Sequence, residues 1–300
     1  MNLRGIFVPL TAPFAADGVL ALDRFRENLA RYDRTHLAGY VVNGSTSESV
    51  LLRWEEVYDL WETARLRAAP GKILIAGSGA EATSETIDHT RRAASIGFDA
   101  ALVRTPSFYK PAISTDLLAE HYLRVAEASP IPVLLYSVPV FTHVSIDAAV
   151  VSRVASHPNI IGIKDSSGDI AGLAAIVAAA PKSFQTLVGS AAALFGSLEA
   201  GATGAILAVA NAFPELCCEI YDASRAGDSS RARSLADRLA PAGKLFGTRF
   251  GIPGLKYALD RLGYYGGPPR PPLLPLSAAA KQEIDSALPA ITAPLSAVSG

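Results

Sequence analysis

Short apolar runs rich in β-branched residues alternate along the chain with amphipathic segments, and the unit repeats at roughly 25 to 35 residues. The apolar runs predict eight strands: Gly5 to Leu10, Gly39 to Asn43, Lys72 to Gly77, Ala100 to Arg104, Val133 to Tyr136, Ile160 to Lys164, Gln185 to Gly189 and Gly204 to Val209. Between them, helical spacing is clearest over Leu22 to Tyr32, Trp54 to Ala68, Ser84 to Ser95, Thr115 to Glu127 and Ile146 to Ala155. This alternation predicts an α/β fold, a (β/α)8 TIM barrel.

After the eighth strand the pattern becomes helical only. Helices are predicted over Pro214 to Ala226, Ser229 to Leu239, Gly254 to Leu262 and Ala278 to Leu288. The Gly/Pro-rich segment Gly266 to Pro272 is open to two interpretations, a flexible linker or a rigid loop over the surface, and we favour the rigid loop because only one helix follows. We therefore predict a catalytic barrel over residues 1–225 and a C-terminal helical extension over 226–300.

Composition narrows the classes of partner. Half of the residues are apolar, 18% are charged and the formal net charge is −1, so the chain has no basic surface for nucleic acid or anionic lipid. A small metabolite is the expected ligand.

The cysteines and the apolar runs bear on cofactors and on the location of the protein. Cys217 and Cys218 are adjacent, which fits neither a disulfide framework nor a metal site, and we predict no metal or organic cofactor. The first residues, Met1 to Pro9, predict a strand rather than a signal peptide, and no apolar run reaches about 18 residues. We expect a cytoplasmic protein without a membrane span.

The sixth predicted strand ends on Lys164. Desolvating an ammonium group there costs several kcal/mol unless the group is paired. A lysine at this position therefore indicates either a role in chemistry or a buried ion pair. Catalytic groups of such barrels stand at the carboxyl ends of strands, where Lys164 lies, whereas Lys72 precedes its strand. Lys164 is therefore our candidate Schiff-base lysine, with a buried ion pair to a strand-end carboxylate as the alternative.

Other strand exits carry groups that suit such chemistry. Ser45 and Thr46 follow the second strand, where hydroxyls and backbone N–H groups at a helix start suit a carboxylate ligand, although they equally suit helix capping. Tyr136 ends the fifth strand and could move protons for an imine, or be a buried structural tyrosine. Tyr109, after the fourth strand, is a further candidate for function or for surface packing. Gly189, after the seventh strand, leaves room for a ligand.

Three motifs stand in order on these strand ends: Gly44-Ser45-Thr46-x-Glu48, Tyr136-x-x-Pro139 and Gly162-Ile163-Lys164-Asp165-Ser166. With them the chain resembles, over essentially its whole length, the pyruvate-dependent class I aldolases and lyases of the dihydrodipicolinate synthase and N-acetylneuraminate lyase superfamily. Within it the chain is most similar to the 4-hydroxy-2-oxoglutarate aldolases. That similarity covers Ala76 to Gly79, Leu135 to Pro139, His157 to Ile160, Lys164 to Asp169, Arg249 to Lys256 and Gly263 to Pro268.

The resemblance implies a role for each candidate. Lys164 would form the imine, Tyr136 would shuttle protons, and Ser45 with Thr46 would bind the carboxylate of pyruvate. Tyr109 would join a proton relay with Ser45 and Tyr136, reaching across a subunit interface. The pocket would be lined further by Ser166, Gly189 and Ile206.

Two departures from the family pattern concern the second substrate. Dihydrodipicolinate synthases usually carry an arginine, which receives the carboxylate of the aldehyde, where this chain has Phe141. His143 replaces a usual glycine, and Ser47 replaces the glycine before Glu48. Both changes add bulk at the barrel mouth, so we list Phe141 and His143 as substrate-contacting candidates, with a structural histidine as the alternative for His143.

These observations predict a lysine-imine lyase that reversibly cleaves 4-hydroxy-2-oxoglutarate to pyruvate and glyoxylate. The expected partners are a 2-oxo acid (pyruvate), an aldehyde and further copies of the chain, assembled as a homotetramer (a dimer of dimers). Alternatives on the same imine are dihydrodipicolinate synthesis, sialic acid cleavage and sugar acid dehydration. A different class is a pyruvate-binding sensor that has lost the reaction.

Overall fold

The computed structural model describes residues 1–293, and its eight parallel strands close into a barrel in sequence order. The prediction of a TIM barrel is confirmed. The strands are β1 (Gly5–Pro9), β2 (Gly39–Val42), β3 (Ile73–Gly77), β4 (Ala100–Arg104), β5 (Val133–Ser137), β6 (Ile160–Asp165), β7 (Gln185–Val188) and β8 (Gly204–Ile206).

Helices cover the outside of the barrel and form the C-terminal extension. They are α1 (Leu22–Tyr32), α2 (Trp54–Arg67), α3 (Thr83–Ile96), α4 (Thr115–Ala128), α5 (Pro139–Thr142), α6 (Ala148–Val154), α7 (Ile170–Ala179), α8 (Leu194–Glu199), α9 (Pro214–Arg225), α10 (Ser229–Lys244), α11 (Gly251–Arg261) and α12 (Ala278–Thr292). Among the residues that the structure describes, no helix is long and apolar enough to cross a membrane.

The end of α10 differs from the prediction. We predicted that this helix ends at Leu239. Pro241 follows two residues later, and proline lacks a backbone donor and disfavours a helix interior. The helix instead continues through Pro241 to Lys244 and runs on into a π-helical turn over Leu245–Arg249. Leu235, Leu239 and Leu245 are buried in the main core, and this burial compensates for the missing hydrogen bond.

The barrel strands alternate between two cores. On β4, Ala100 and Leu102 belong to the cluster that fills the barrel, whereas Ala101 and Val103 pack outward against helices. Since side chains alternate with a period of two along a strand, Arg104 faces the barrel interior at its carboxyl end.

The segment from Gly263 to Pro275 is fastened to the barrel. The Arg270 guanidinium donates to both carboxylate oxygens of Glu56 at 2.7 and 2.8 Å, and to the backbone oxygens of Leu51 and Gly18. These contacts support the interpretation as a rigid loop. The division at residue 225, which coincides with the end of α9, stays a prediction.

Candidate active site

Three inward-facing side chains form a row at the carboxyl ends of neighbouring strands. Arg104 on β4 is in register with Tyr136 on β5, and Tyr136 is in register with Lys164 on β6. Adjacent strands are about 4.8 Å apart, so the three residues span about 10 Å across the barrel mouth. The row brings together two residues that the sequence predicted and one that it did not.

Lys164 is only 4% exposed, and its Nζ lies 4.2 Å from the centroid of the Tyr136 ring. Among the described residues, no carboxylate lies within ion-pair distance of this ammonium group. A buried lysine ion pair does exist, but it belongs to Lys256 on α11, whose Nζ is 2.5 Å from Glu48 Oε1. The structure therefore favours a chemical role for Lys164 over the ion-pair alternative.

Gly189 follows β7 and gives Lys164 its space. A Cβ added at Gly189 would lie 3.0 Å from Lys164 Cε and 1.9 Å from Ser166 Oγ. The 1.9 Å distance is shorter than real Cβ contacts and the 3.0 Å distance is tighter than most, so any side chain at this position would displace Ser166 and crowd the lysine. Ser166 itself is half-buried and its backbone N–H donates to Ser137 O at 2.9 Å.

The hydroxyl-rich segment after β2 is a short 3₁₀ turn over Ser45–Ser47. Ser45 Oγ is 3.2 Å from the Tyr136 hydroxyl, and Thr46 is buried beside it. The segment was expected to lead into a helix; it forms this 3₁₀ turn, with Gly44 at the N-cap position and no side-chain capping hydrogen bond, and α2 begins only at Trp54. Helix capping therefore does not explain these hydroxyls.

Glu48 follows this turn and holds it through contacts of its buried carboxylate. Its backbone is left-handed, with φ 57°, and its carboxylate is enclosed. Besides Lys256, it accepts the backbone N–H of Arg270 at 2.8 Å. The Lys256 ammonium also donates to Pro268 O at 3.0 Å and lies 4.3 Å from the centroid of the Phe14 ring. Burial lowers the pKa of Lys256, and the Glu48 carboxylate opposes that shift. The extension thus supports the turn that carries Ser45.

A cavity of about 270 Å³ opens at this end of the barrel. Its lining brings polar groups from four strand exits together, those of β2 to β5, namely Ser45, Glu81, Arg104 and Tyr136. Ligand pockets combine such a concave shape with a few converging polar groups, and this cavity fits a small metabolite.

The Arg104–Glu81 pair at this mouth was missed by the sequence analysis. Arg104 Nη1 donates to Glu81 Oε1 at 2.7 Å, and Glu81 Oε2 accepts the backbone N–H groups of Ser107 and Phe108 at 2.8 and 3.0 Å. Burial disfavours the charged form, but these donors outweigh it and lower the pKa of Glu81 to about 2. A sequence signal for Arg104 was available, because Arg104, like Lys164, occupies an inward-facing position at the carboxyl end of a predicted strand.

Three other candidates have exposed side chains. The Tyr109 residue is 76% exposed and its ring packs edge-on against Phe108 at 5.1 Å between centroids. Phe141, on α5, is 62% exposed. His143 is exposed, with φ 54°, and lines a separate cavity of about 340 Å³ with Lys110 and Asp147. Within the described single chain, no side-chain hydrogen bond or ion pair joins any of the three to the Lys164 row.

Ile206, the last of the predicted pocket residues, is fully buried at the end of β8. It lies in register with Phe7 of β1 and belongs to the apolar cluster that fills the barrel, together with Tyr136. It therefore forms part of the apolar base on which the row of site residues rests.

Known proteins resemble this chain over nearly its whole length. The model of the dihydrodipicolinate synthetase family matches residues 2–291. The chain is 34% identical over 289 residues to the 4-hydroxy-tetrahydrodipicolinate synthase of an Exiguobacterium species, covering 95% of this chain and 96% of the relative. It is 37% identical over 275 residues to the enzyme of the same name from Methanothrix thermoacetophila, covering 91% and 92%.

Solved structures show the same relationship. One is the chloride-inhibited dihydrodipicolinate synthase from Acinetobacter baumannii complexed with pyruvate, with a TM-score of 0.92, 28% identity, and coverage of 97% of this chain and 99% of that one. Another is a prophage protein of the dihydrodipicolinic acid synthase family from E. coli K12, also in complex with pyruvate, with a TM-score of 0.90, 26% identity, and coverage of 96% and 98%. The chain belongs to the dihydrodipicolinate synthetase family of imine-forming carbon–carbon lyases.

Proposed function

We propose that the protein binds pyruvate as an imine of Lys164 and condenses it with a carboxylated aldehyde, yielding 4-hydroxy-tetrahydrodipicolinate. The observation that carries the proposal is a buried lysine without a carboxylate partner in the described chain, in register with a tyrosine that contacts Ser45. The names of the relatives support the product. Adding one water to this product and removing pyruvate leaves an amino aldehyde with one carboxylate, aspartate semialdehyde.

The reaction begins when the neutral Lys164 amine attacks the C2 carbonyl of pyruvate and water leaves. The resulting protonated imine accepts electrons better than a ketone, so a proton is lost from C3 and an enamine forms. The enamine carbon then attacks the aldehyde carbon, whose oxygen takes up a proton. Hydrolysis or ring closure releases the lysine.

Tyr136 is placed to move protons in these steps. Its hydroxyl lies 3.2 Å from Ser45 Oγ, within the distance at which hydroxyl groups exchange a proton. In the single chain this relay ends at Ser45. We propose that Tyr109 extends it from a second subunit, since Tyr109 is exposed on the loop after β4.

The carboxylate of pyruvate is assigned to the Ser45–Thr46 turn. Successive backbone N–H groups and hydroxyls in a tight turn form a concave site for anions, and Glu48 with Lys256 fixes the backbone below. Holding the carboxylate there would direct the C2 carbonyl of pyruvate toward Lys164.

A second candidate is the reversible cleavage of 4-hydroxy-2-oxoglutarate to pyruvate and glyoxylate. It is favoured by Phe141, an exposed apolar residue where the resemblance to dihydrodipicolinate synthases leads us to expect an arginine. The relatives' names favour the first candidate. Both reactions share the Lys164 imine and differ in the aldehyde.

Borohydride reduction in the presence of pyruvate tests the shared step. Intact mass and peptide mapping should find one adduct per chain, on Lys164, and Lys164→Arg should abolish it while the exposed control Lys182→Arg keeps it. Side-by-side kcat/KM values with aspartate semialdehyde and with 4-hydroxy-2-oxoglutarate then rank the two reactions. An unmodified Lys164 contradicts the imine; trapping without turnover of either substrate indicates a pyruvate sensor.

We further propose a cytoplasmic homo-oligomer arranged as a dimer of dimers. Phe108 and Tyr109 are 74% and 76% exposed on the same loop, and adjacent exposed aromatic side chains are typical of protein interfaces. Light scattering after size exclusion should give a mass of four chains, and Tyr109→Ser should shift the protein toward smaller species. A monomeric wild-type protein contradicts the assembly.

A further inference from the structure

Arg104 is a positively charged side chain in the same row as Lys164. It lies two strands from Lys164 in the same inward-facing row and lines the mouth cavity together with Tyr136 and Ser45. Its side chain is 22% exposed, so it is partly desolvated while still open to the cavity. A guanidinium in this setting binds a carboxylate more strongly than it would in bulk water.

One nitrogen of the Arg104 guanidinium is hydrogen-bonded within the protein, and its other N–H donors remain available. In the part of the chain that the structure describes, Nη1 has two acceptors, Glu81 Oε1 at 2.7 Å and Thr105 O at 3.3 Å, whereas Nη2 and Nε have none. Glu81 is in turn fixed by the loop backbone at Ser107 and Phe108. The pair therefore orients Arg104 through one nitrogen and leaves the others for a ligand.

The chain also makes room for this side chain. A Cβ added at Gly79, after β3, would lie 2.6 Å from Arg104 N and 2.9 Å from Arg104 Cγ. Only glycine at this position lets Arg104 adopt its observed path into the mouth.

From this geometry we infer that Arg104 binds the carboxylate of the second substrate, the aldehyde, and so determines specificity. The inference rests on the proposed function, since it assumes a pyruvate imine on Lys164. Phe141 carries no charge, so it cannot form an ion pair with this carboxylate. A carboxylate bound at Arg104 places the aldehyde beside Tyr136, between the guanidinium and the enamine on Lys164.

A purely structural role for Arg104 makes a different prediction. If the pair served only to hold the loop from Thr105 to Tyr109, then removing either partner would have the same effect. If Arg104 binds substrate, removing Glu81 leaves the positive charge in the mouth and costs less.

The test compares Arg104→Gln, Arg104→Lys and Glu81→Gln, with Arg124→Gln as a control for an exposed arginine–glutamate pair, 2.6 Å long, on α4. Steady-state kinetics are measured with pyruvate and whichever acidic aldehyde, aspartate semialdehyde or glyoxylate, the wild type uses. We expect Arg104→Gln to lower kcat/KM for the aldehyde by 10- to 100-fold, mainly through KM. Arg104→Lys should recover part of this loss, and Glu81→Gln should lose less than tenfold.

Half-saturation by pyruvate in borohydride trapping separates the two proposals. A threefold or smaller change in Arg104→Gln, together with the loss toward the aldehyde, supports the inference. Equal losses in Arg104→Gln and Glu81→Gln, no recovery with lysine, or an aldehyde KM like that of the wild type overturns it while the imine stands. Failure of the wild-type protein to be trapped overturns both.

Discussion

The buried ion pair between Lys256 and Glu48 gives the most direct test of how the C-terminal extension supports the site. The two side chains are 1% and 0% exposed and their charged atoms are 2.5 Å apart. Lys256→Met keeps the length and packing of the side chain but leaves the Glu48 carboxylate enclosed, with the backbone N–H of Arg270 as its remaining donor.

Removing one partner of a buried ion pair costs about 3–5 kcal/mol. At about 2–4 °C per kcal/mol for a chain of this size, we expect the melting temperature of Lys256→Met to fall by about 6–20 °C. Urea unfolding at fixed protein concentration measures the same loss as a free energy. Lys182→Met is the control, since Lys182 is exposed and its substitution should change the free energy of unfolding by less than about 0.5 kcal/mol.

A double variant separates the charge effect from lost packing. In Glu48→Gln with Lys256→Met no unpaired charge remains, and the amide oxygen of the glutamine can still accept from Arg270. We expect the double variant to recover more than half of the loss, which corresponds to a coupling energy of about 2 kcal/mol or more. A loss below about 1 kcal/mol in Lys256→Met, or a double variant as unstable as the single one, would refute the reasoning.

Three further substitutions test the site and its surroundings. Tyr136→Phe should lower kcat by about 10²–10⁴-fold in steady-state assays; an unchanged kcat means that another group moves the proton. Gly189→Ala, whose Cβ would meet Lys164 Cε at 3.0 Å, should slow imine trapping by up to about 10²-fold, and trapping at the wild-type rate contradicts the steric argument. Burial, aided by Arg104, lowers the pKa of His121 to about 4. As the pH falls, the unfolded chain therefore binds a proton at this histidine before the folded chain does, and the free energy of unfolding decreases between about pH 6.5 and 4. In urea unfolding, His121→Gln should remove about 2–3 kcal/mol of that decrease, and an unchanged pH dependence would contradict this reasoning.

Much of the barrel follows from local sequence. An apolar strand with a period of two and a following amphipathic helix need only short-range information, and the eight repeats leave a closed barrel as the natural way to bury every strand. The same rule predicted that Lys164 and Tyr136 lie at the carboxyl ends of their strands, because strand direction decides which end of such a barrel carries catalytic groups. Arg104, the last residue of β4, obeys the same rule although it was not predicted as a site residue.

Only the tertiary structure decided which distant parts of the chain are in contact and where the side chains of the loop residues lie. The partnership of Glu48 with Lys256 joins the second strand exit to the C-terminal extension, and no local pattern specifies which buried charges meet. The exposure of Tyr109 and the placement of His143 in a separate cavity depend on loop backbones, such as the left-handed φ of His143, that periodicity does not encode. The sequence by itself determined the strands, the barrel and the end of the barrel that carries the candidate site, since these follow from local periodicity and strand direction. Only the closed fold decided which charges pair and which side chains line the mouth, because those contacts depend on packing across the whole molecule.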